Sequence, residues 1–169
     1  MTGRTHLTWG IAAGLLVAAA THGNPALCLA AGALGGLLPD IDHPQSMISG
    51  YIPGSSFILG LGGVRHRGFT HSIIFMVLLV AAWFAASQRI SIPYPLLIAA
   101  LAGIASHILG DMLTPQGVRL LFPLRSNWKF LPGVILQLGK LFGVLEFAVW
   151  LGALAGIAAG LFLLVRGVP

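Results

Sequence analysis

Three short stretches hold most of the side chains able to do chemistry. In SHILGD, Ser106 to Asp111, the residues His107 and Asp111 stand four apart. On a helix that spacing puts both on one face, where they could share a metal ion or simply an i,i+4 hydrogen bond. In PDIDHP, Pro39 to Pro44, Asp40 and Asp42 are two apart. An extended backbone would point both the same way, toward one site; an ordinary turn would use them in Asx hydrogen bonds. RHRGFTHS, Arg65 to Ser72, sets His66 and His71 on either side of Gly68, a residue that permits a sharp turn. Thr70 is placed to cap a following helix, with His71 in its first turn. RTHLTWG near the N-terminus has a like arrangement in Thr5 and His6. Arg65 and Arg67 have two readings, a clamp on an anionic group or anchors to lipid phosphates.

The rest of the chain must position these groups, and it is strongly apolar. Of 169 residues, 57% are hydrophobic and 8% charged, with a mean hydropathy of +0.93. Soluble domains carry about a quarter charged residues, so the composition is that of a membrane protein. The length suits one bundle, a single domain over residues 1–169. The lone Cys28 lies within an apolar segment, allows no internal disulfide and reads as a small core residue. No stretch has the pattern of a cleavable signal.

Five helices are expected. Leu7 to Leu38 is broken by the turn-like THGNP, Thr21 to Pro25, into a helical hairpin. Further apolar runs cover Ser72 to about Ala86, Tyr94 to about Leu109, and Val144 to Val165. The last is the cleanest span, since about 20 residues cross the hydrocarbon. Stretches such as AAGALGG and LGALAGIAAG supply small residues for close helix packing in lipid. Two long loops, roughly Pro39 to Gly68 and Met112 to Gly143, join these segments. The second contains FPLRSNWKFLP, aromatic and basic residues of the kind found at a membrane interface.

With five helices the N-terminus and both long loops fall on one side. That side holds Arg4, Arg65, Arg67, Arg119, Arg125, Lys129 and Lys140, and the other only Arg89 and Arg166. The positive-inside rule then puts the loops in the cytoplasm. The net charge of +5 is read as this topology signal and not as affinity for nucleic acid. His6, Asp40, Asp42, His43, His66, His71, His107 and Asp111 all sort to the same end, and Glu146 is expected to open the fifth helix there. His22 falls opposite, as a turn residue. Up to five histidines and three aspartates at one end of a small bundle exceed what packing alone explains. Divalent cations would neutralise the carboxylates and take neutral imidazoles as ligands. Mixed His and Asp donors suit zinc, manganese, iron or nickel rather than calcium. The count is enough for two ions bridged by an aspartate, a pairing that activates water and stabilises an oxyanion, especially on phosphorus.

Thr5-His6 with Gly10 nearby, LLPDIDHPQS, HRGFTHS, SHILGDMLTPQG and the trailing LLFP together resemble the YdjM-type family of LexA-regulated, membrane-bound metal-dependent hydrolases. The resemblance runs from the N-terminus to about Trp150. It implies a multi-pass inner-membrane protein with a metal-dependent hydrolase site. The family is similar, more distantly, to zinc-dependent phospholipase C, in which histidines and aspartates hold a metal cluster. Carried over by motif, the implied ligands are His6, Asp40, Asp42, His66, His71, His107 and Asp111. His43 joins this set as a ligand or as a residue that orients one. Glu146 matches a family glutamate at the start of the last helix, and Thr114 and Gly117 match as turn residues. Met47 to Val64 matches poorly, which leaves substrate choice open.

The leading expectation is a hydrolase in which metal-bound water, zinc being the first choice of metal, attacks a phosphoester of a lipid or other amphipathic molecule at the cytoplasmic face. Arg65 and Arg67 would balance the phosphate charge, and Asp40, Asp42 or Glu146 would serve as general base. A carboxylester or amide is open to the same chemistry. The competing readings are a metal transporter or sensor, which needs polar residues deep in the spans, and a membrane scaffold tied by structural metals. Membrane lipids are the expected partners.

Overall fold

A computed structural model describes residues 1–52, 54–61, 66–130 and 139–167. The described residues are helical, without a β-strand. Helix α1 spans Gly3–Thr21 and α2 Pro25–Leu37; a 3-10 turn, Leu38–Asp42, continues α2. Two short helices follow, α3 at Met47–Tyr51 and α4 at Ser55–Leu61. A second 3-10 turn, Phe69–His71, leads into α5, Ile73–Ser87. Helix α6 covers Tyr94–Met112 and α7 Gly139–Arg166.

The α1–α2 hairpin forms where the sequence places it. His22 takes a left-handed conformation (φ 53°) that ends α1, and Asn24 caps α2 by accepting from Leu27 N, with Pro25 in its first turn. Among the described residues, three segments are long and apolar enough to cross a membrane: Pro25–Asp42, Tyr94–Met112 and Gly143–Arg166. Helix α5 is shorter, and at 1.5 Å per residue it reaches only about 22 Å.

Helices α1, α2 and α6 form the inner layer, α7 packs on α1, and α5 lies at the periphery with no buried residue. The inner layer owes its closeness to absent side chains. A Cβ on Gly103 of α6 would meet the carbonyl of Gly32 in α2, and one on Gly32 would meet the carbonyl of Gly10 in α1. Backbone therefore touches backbone across three helices. Trp9 of α1 donates through Nε1 to Val149 O at 3.0 Å, fastening α7 to the same layer. The segment after α6 folds beneath the bundle through an antiparallel bridge between Val118 and Trp128.

One open alternative is decided and two local expectations are corrected. The Asp40–Asp42 segment is a 3-10 turn, not extended, because α2 carries on through it. Thr70 does not cap α5: Ser72 does, accepting from Phe75 N at 3.3 Å, and His71 precedes the helix. Helix α7 starts at Gly139, so Glu146 sits two turns inside it instead of opening it.

Candidate metal centre

The ends of α2 and α6 and the turn before α5 meet at one end of the bundle. Pro39 lacks an N–H to return to the last turn of α2, and Gly36 O accepts His107 Nδ1–H at 2.7 Å. The glycine-lined approach of α6 to α2 brings His107 within reach of that carbonyl. A carbonyl only accepts, so Nδ1 carries the proton and neutral His107 offers a bare Nε2.

His71 is fixed by a longer chain. Asp42 Oδ2 accepts from Thr70 Oγ1 at 2.8 Å, which leaves that hydroxyl able only to accept from His71 Nδ1, at 3.1 Å. Asp42 Oδ1 accepts from His66 Nδ1 at 2.9 Å. One buried aspartate thus sets the tautomer of two histidines, directly for His66 and through Thr70 for His71. Each is left with Nε2 as its lone pair.

These lone pairs converge. His71 Nε2 lies 3.1 Å from His107 Nε2. Asp40 Oδ1 is 3.5 and 3.4 Å from the two nitrogens, and Asp111 Oδ2 is 3.6 and 3.9 Å from them. His71, His107 and Asp111 are at most 1% exposed. Two carboxylates and two imidazole lone pairs held together out of water repel one another unless a cation or protons lie between them. Tetrahedral zinc with bonds of 2.0–2.1 Å places its donors about 3.3 Å apart, close to the separations found. In the metal-free protein, burial works against protonation of His71, yet the hydrogen-bonding and charge of Asp111 and Asp40 outweigh it and raise its pKa.

His6 stands at the edge of this group. Its ring stacks on His107 with centroids 3.7 Å apart, and Nε2 lies 3.3 Å from Asp111 Oδ1, out of line for a hydrogen bond. A buried nitrogen without a partner beside a carboxylate is what a site built for a cation leaves behind. The amine of Met1 is also drawn to Asp111 Oδ1, at 3.1 Å.

A second group, Asp40, Asp42 and His66, is more open and shares Asp40 with the first. His43 belongs to neither. Its Nδ1 accepts from Gln45 N at 3.3 Å, and its ring packs near that of His66. Arg67, in a left-handed conformation (φ 60°), forms an ion pair through Nε with Asp111 Oδ2 at 3.1 Å and donates through a terminal nitrogen to Thr114 Oγ1 at 2.6 Å. Glu146 joins neither cation group. It accepts from Thr2 N and Thr5 Oγ1, tying α7 to the start of α1. Arg65 lies outside the described residues. Thr114 and Gly117 (φ 64°) serve as turn residues. A cavity of about 760 Å³ opens over the cluster, with Arg4, Asp40, His43, His66, Arg67 and Asp111 in its walls.

Sequence reasoning missed the two orienting partners, Thr70 and the Gly36 carbonyl. A hint for the first was a threonine lodged between two histidines in RHRGFTHS. Nothing in the sequence marks a backbone carbonyl.

A helical membrane protein with a buried His/Asp cluster at one end of its bundle is the class these features define. The chain belongs to the family described as YdjM inner membrane protein, whose model matches residues 1–168. It is 37% identical over 125 residues to the uncharacterized protein YvsG of Bacillus subtilis, covering 73% of this chain and 74% of that one. It is 42% identical over 106 residues to the inner membrane protein YdjM of Escherichia coli, and equally to that of Shigella flexneri, covering 62% of this chain. The match spans 53% of each of these two relatives, about half their length. No solved structure matches.

Proposed function

We propose that the protein is a metal-dependent hydrolase of the inner membrane that cleaves a phosphoester of an amphipathic substrate at the cytoplasmic face. The observation that carries this reading is the facing pair His71 Nε2 and His107 Nε2, 3.1 Å apart between Asp40 and Asp111. A divalent ion held there, zinc being the best fit to mixed nitrogen and oxygen donors, supplies a Lewis acid and lowers the pKa of bound water.

The chain's own residues do the rest. His71, His107, Asp40 and Asp111 would hold the first ion, with His6 at its edge. Asp40, Asp42 and His66 would offer a second place once His66 gives up its hydrogen bond to Asp42. Asp42 and Thr70 orient His71, and Gly36 O orients His107. Asp40 is the most exposed of the three aspartates, its side chain 18% exposed, and with the first ion alone bound its second oxygen is the one placed to take a proton from water. Asp42 is engaged by His66 and Thr70, and Glu146 by Thr2 and Thr5. Arg67 holds Asp111 in place and, with Arg4, brings positive charge to the cavity over the cluster, where a phosphoryl group would lie. More distantly, the H-x-x-x-D pair is similar to that of zinc-dependent phospholipase C.

Burial of His71, His107 and Asp111 also favours a second reading, a structural ion with no turnover. A panel of phospholipids and water-soluble phosphoesters, tested with zinc- and manganese-loaded protein in detergent, separates the two. Hydrolysis of one class, lost with metal in Asp111→Ala, supports the enzyme. Tight metal without turnover of any ester supports the scaffold.

A further inference from the structure

The cluster has an apolar neighbour. A cavity of about 340 Å³ lies between α1, α6 and α7, with His6, Trp9, Leu109, Leu113, Phe130 and Val149 in its walls. Along α6 its floor is a stripe at i, i+3, i+4 and i+7: Ser106, Leu109, Gly110 and Leu113. That is about 10 Å of helix, one face over two turns. His107 and Asp111 lie one residue further round the same turns, so one stretch of helix serves the cluster on one side and the apolar slot on the other. Gly110 keeps the slot open, since a side chain there would press toward His6, whose Cε1 is 3.4 Å from the position a Cβ would take.

The slot is apolar by arrangement as well as by composition. Three of its wall residues carry polar side-chain atoms directed at partners within the protein. Thr5 Oγ1 donates to Glu146, Ser106 Oγ to Gly103 O, and Trp9 Nε1 to Val149 O. Leu109 and Phe130 are 51% and 56% exposed at the rim, and Leu109 lies on a helix able to cross a membrane. The rim therefore faces hydrocarbon or its boundary. His6 forms a wall of the slot and stacks on His107 of the cluster.

The geometry points to a hydrocarbon-chain site: the slot takes one acyl chain of a membrane lipid whose phosphate lies at the Asp/His cluster. The occupant follows from charge and position. A cation cluster flanked by Arg4 and Arg67 suits an anionic headgroup, and an apolar slot one histidine away suits the attached chain. A volume of 340 Å³ is at the lower end for a whole ligand and adequate for part of one. The inference rests on the amphipathic-phosphoester reading for what lies at the cluster.

The test is native mass spectrometry of detergent-solubilised, zinc-loaded protein with added phosphatidylglycerol, alongside a metal count. Wild type retains one lipid per chain. Ser106→Leu/Leu113→Phe fills the slot and retains at least tenfold less, with metal content unchanged. Should the double variant misfold, Leu109→Trp at the exposed rim gives the same measurement. Retention by a folded, filled variant equal to wild type overturns the slot, even if soluble phosphoesters are hydrolysed. Slot-dependent retention in a protein that cleaves no ester leaves the slot standing and removes the hydrolase reading instead.

Discussion

Replacing Thr70 with valine tests the link between Asp42 and His71 while nearly keeping side-chain volume. Thr70 is 1% exposed and joins the two through hydrogen bonds of 2.8 and 3.1 Å. In Thr70→Val, Asp42 Oδ2 loses its donor and His71 Nδ1–H its acceptor, both in a water-poor site. A buried polar group left without its partner costs about 1–3 kcal/mol, so two of them predict a loss of roughly 2–6 kcal/mol in metal-free stability. Metal affinity falls too, because His71 is no longer held in the tautomer that bares Nε2. Removing such an orienting partner typically weakens metal binding about 10- to 100-fold, or roughly 1.4–2.7 kcal/mol. Zinc affinity is read by competition with a fluorescent chelator in detergent, and stability by thermal unfolding with and without chelator. Thr70→Ser keeps the hydroxyl and is expected to stay near wild type. Zinc affinity of Thr70→Val within twofold of wild type would refute the reasoning.

Three further outcomes follow from the same contacts. Gly103→Val drives a side chain into the Gly32 carbonyl and is expected to destabilise the α2–α6 contact by about 1–3 kcal/mol or more, seen as a lower unfolding temperature. Arg67→Lys loses the fork that spans Asp111 and Thr114, so zinc binding weakens while helical content stays unchanged by circular dichroism. The raised pKa of His71 gives opposite pH slopes to the two forms of the protein. In chelator its contribution to stability is fully present below the unfolded value of about 6.5 and is lost as pH rises through the folded one. With zinc the proton competes for Nε2, so affinity falls as pH is lowered through that folded value. Melting curves and zinc titrations between pH 5.5 and 8.5, about the range histidine commands, read both slopes.

The hairpin was legible because its turn chemistry is local: His22, Asn24 and Pro25 end one helix and start the next within four residues. The His107–Asp111 pair was legible for the same reason, since helical spacing alone puts both on one face. Small residues announced close packing, but not that Gly32 is the point where α1, α2 and α6 meet. The division of labour between Asp40 and Asp42 was hidden, because it depends on Thr70, 28 residues from Asp42, and His107, 67 residues from Asp40. Asp40 turns to the buried imidazoles of His71 and His107, and Asp42 orients His66 directly and His71 through Thr70. Glu146 was misplaced because Lys140 and Gly143 do not stop a helix carried by the apolar residues beyond them, and α7 begins earlier. The convergence of ionisable groups at one end, inferred from segment order, is matched by the two groups that share Asp40.

The central claim is that four acceptors, three of them buried, form a cation site, and a metal count tests it most directly. Protein purified in detergent, loaded with zinc and passed through a desalting column should retain at least one ion per chain by inductively coupled plasma mass spectrometry. His107→Ala and Asp111→Ala should retain none at that site while remaining helical. Wild-type protein that leaves the column without metal, or that holds no more than folded His107→Ala, would contradict the account.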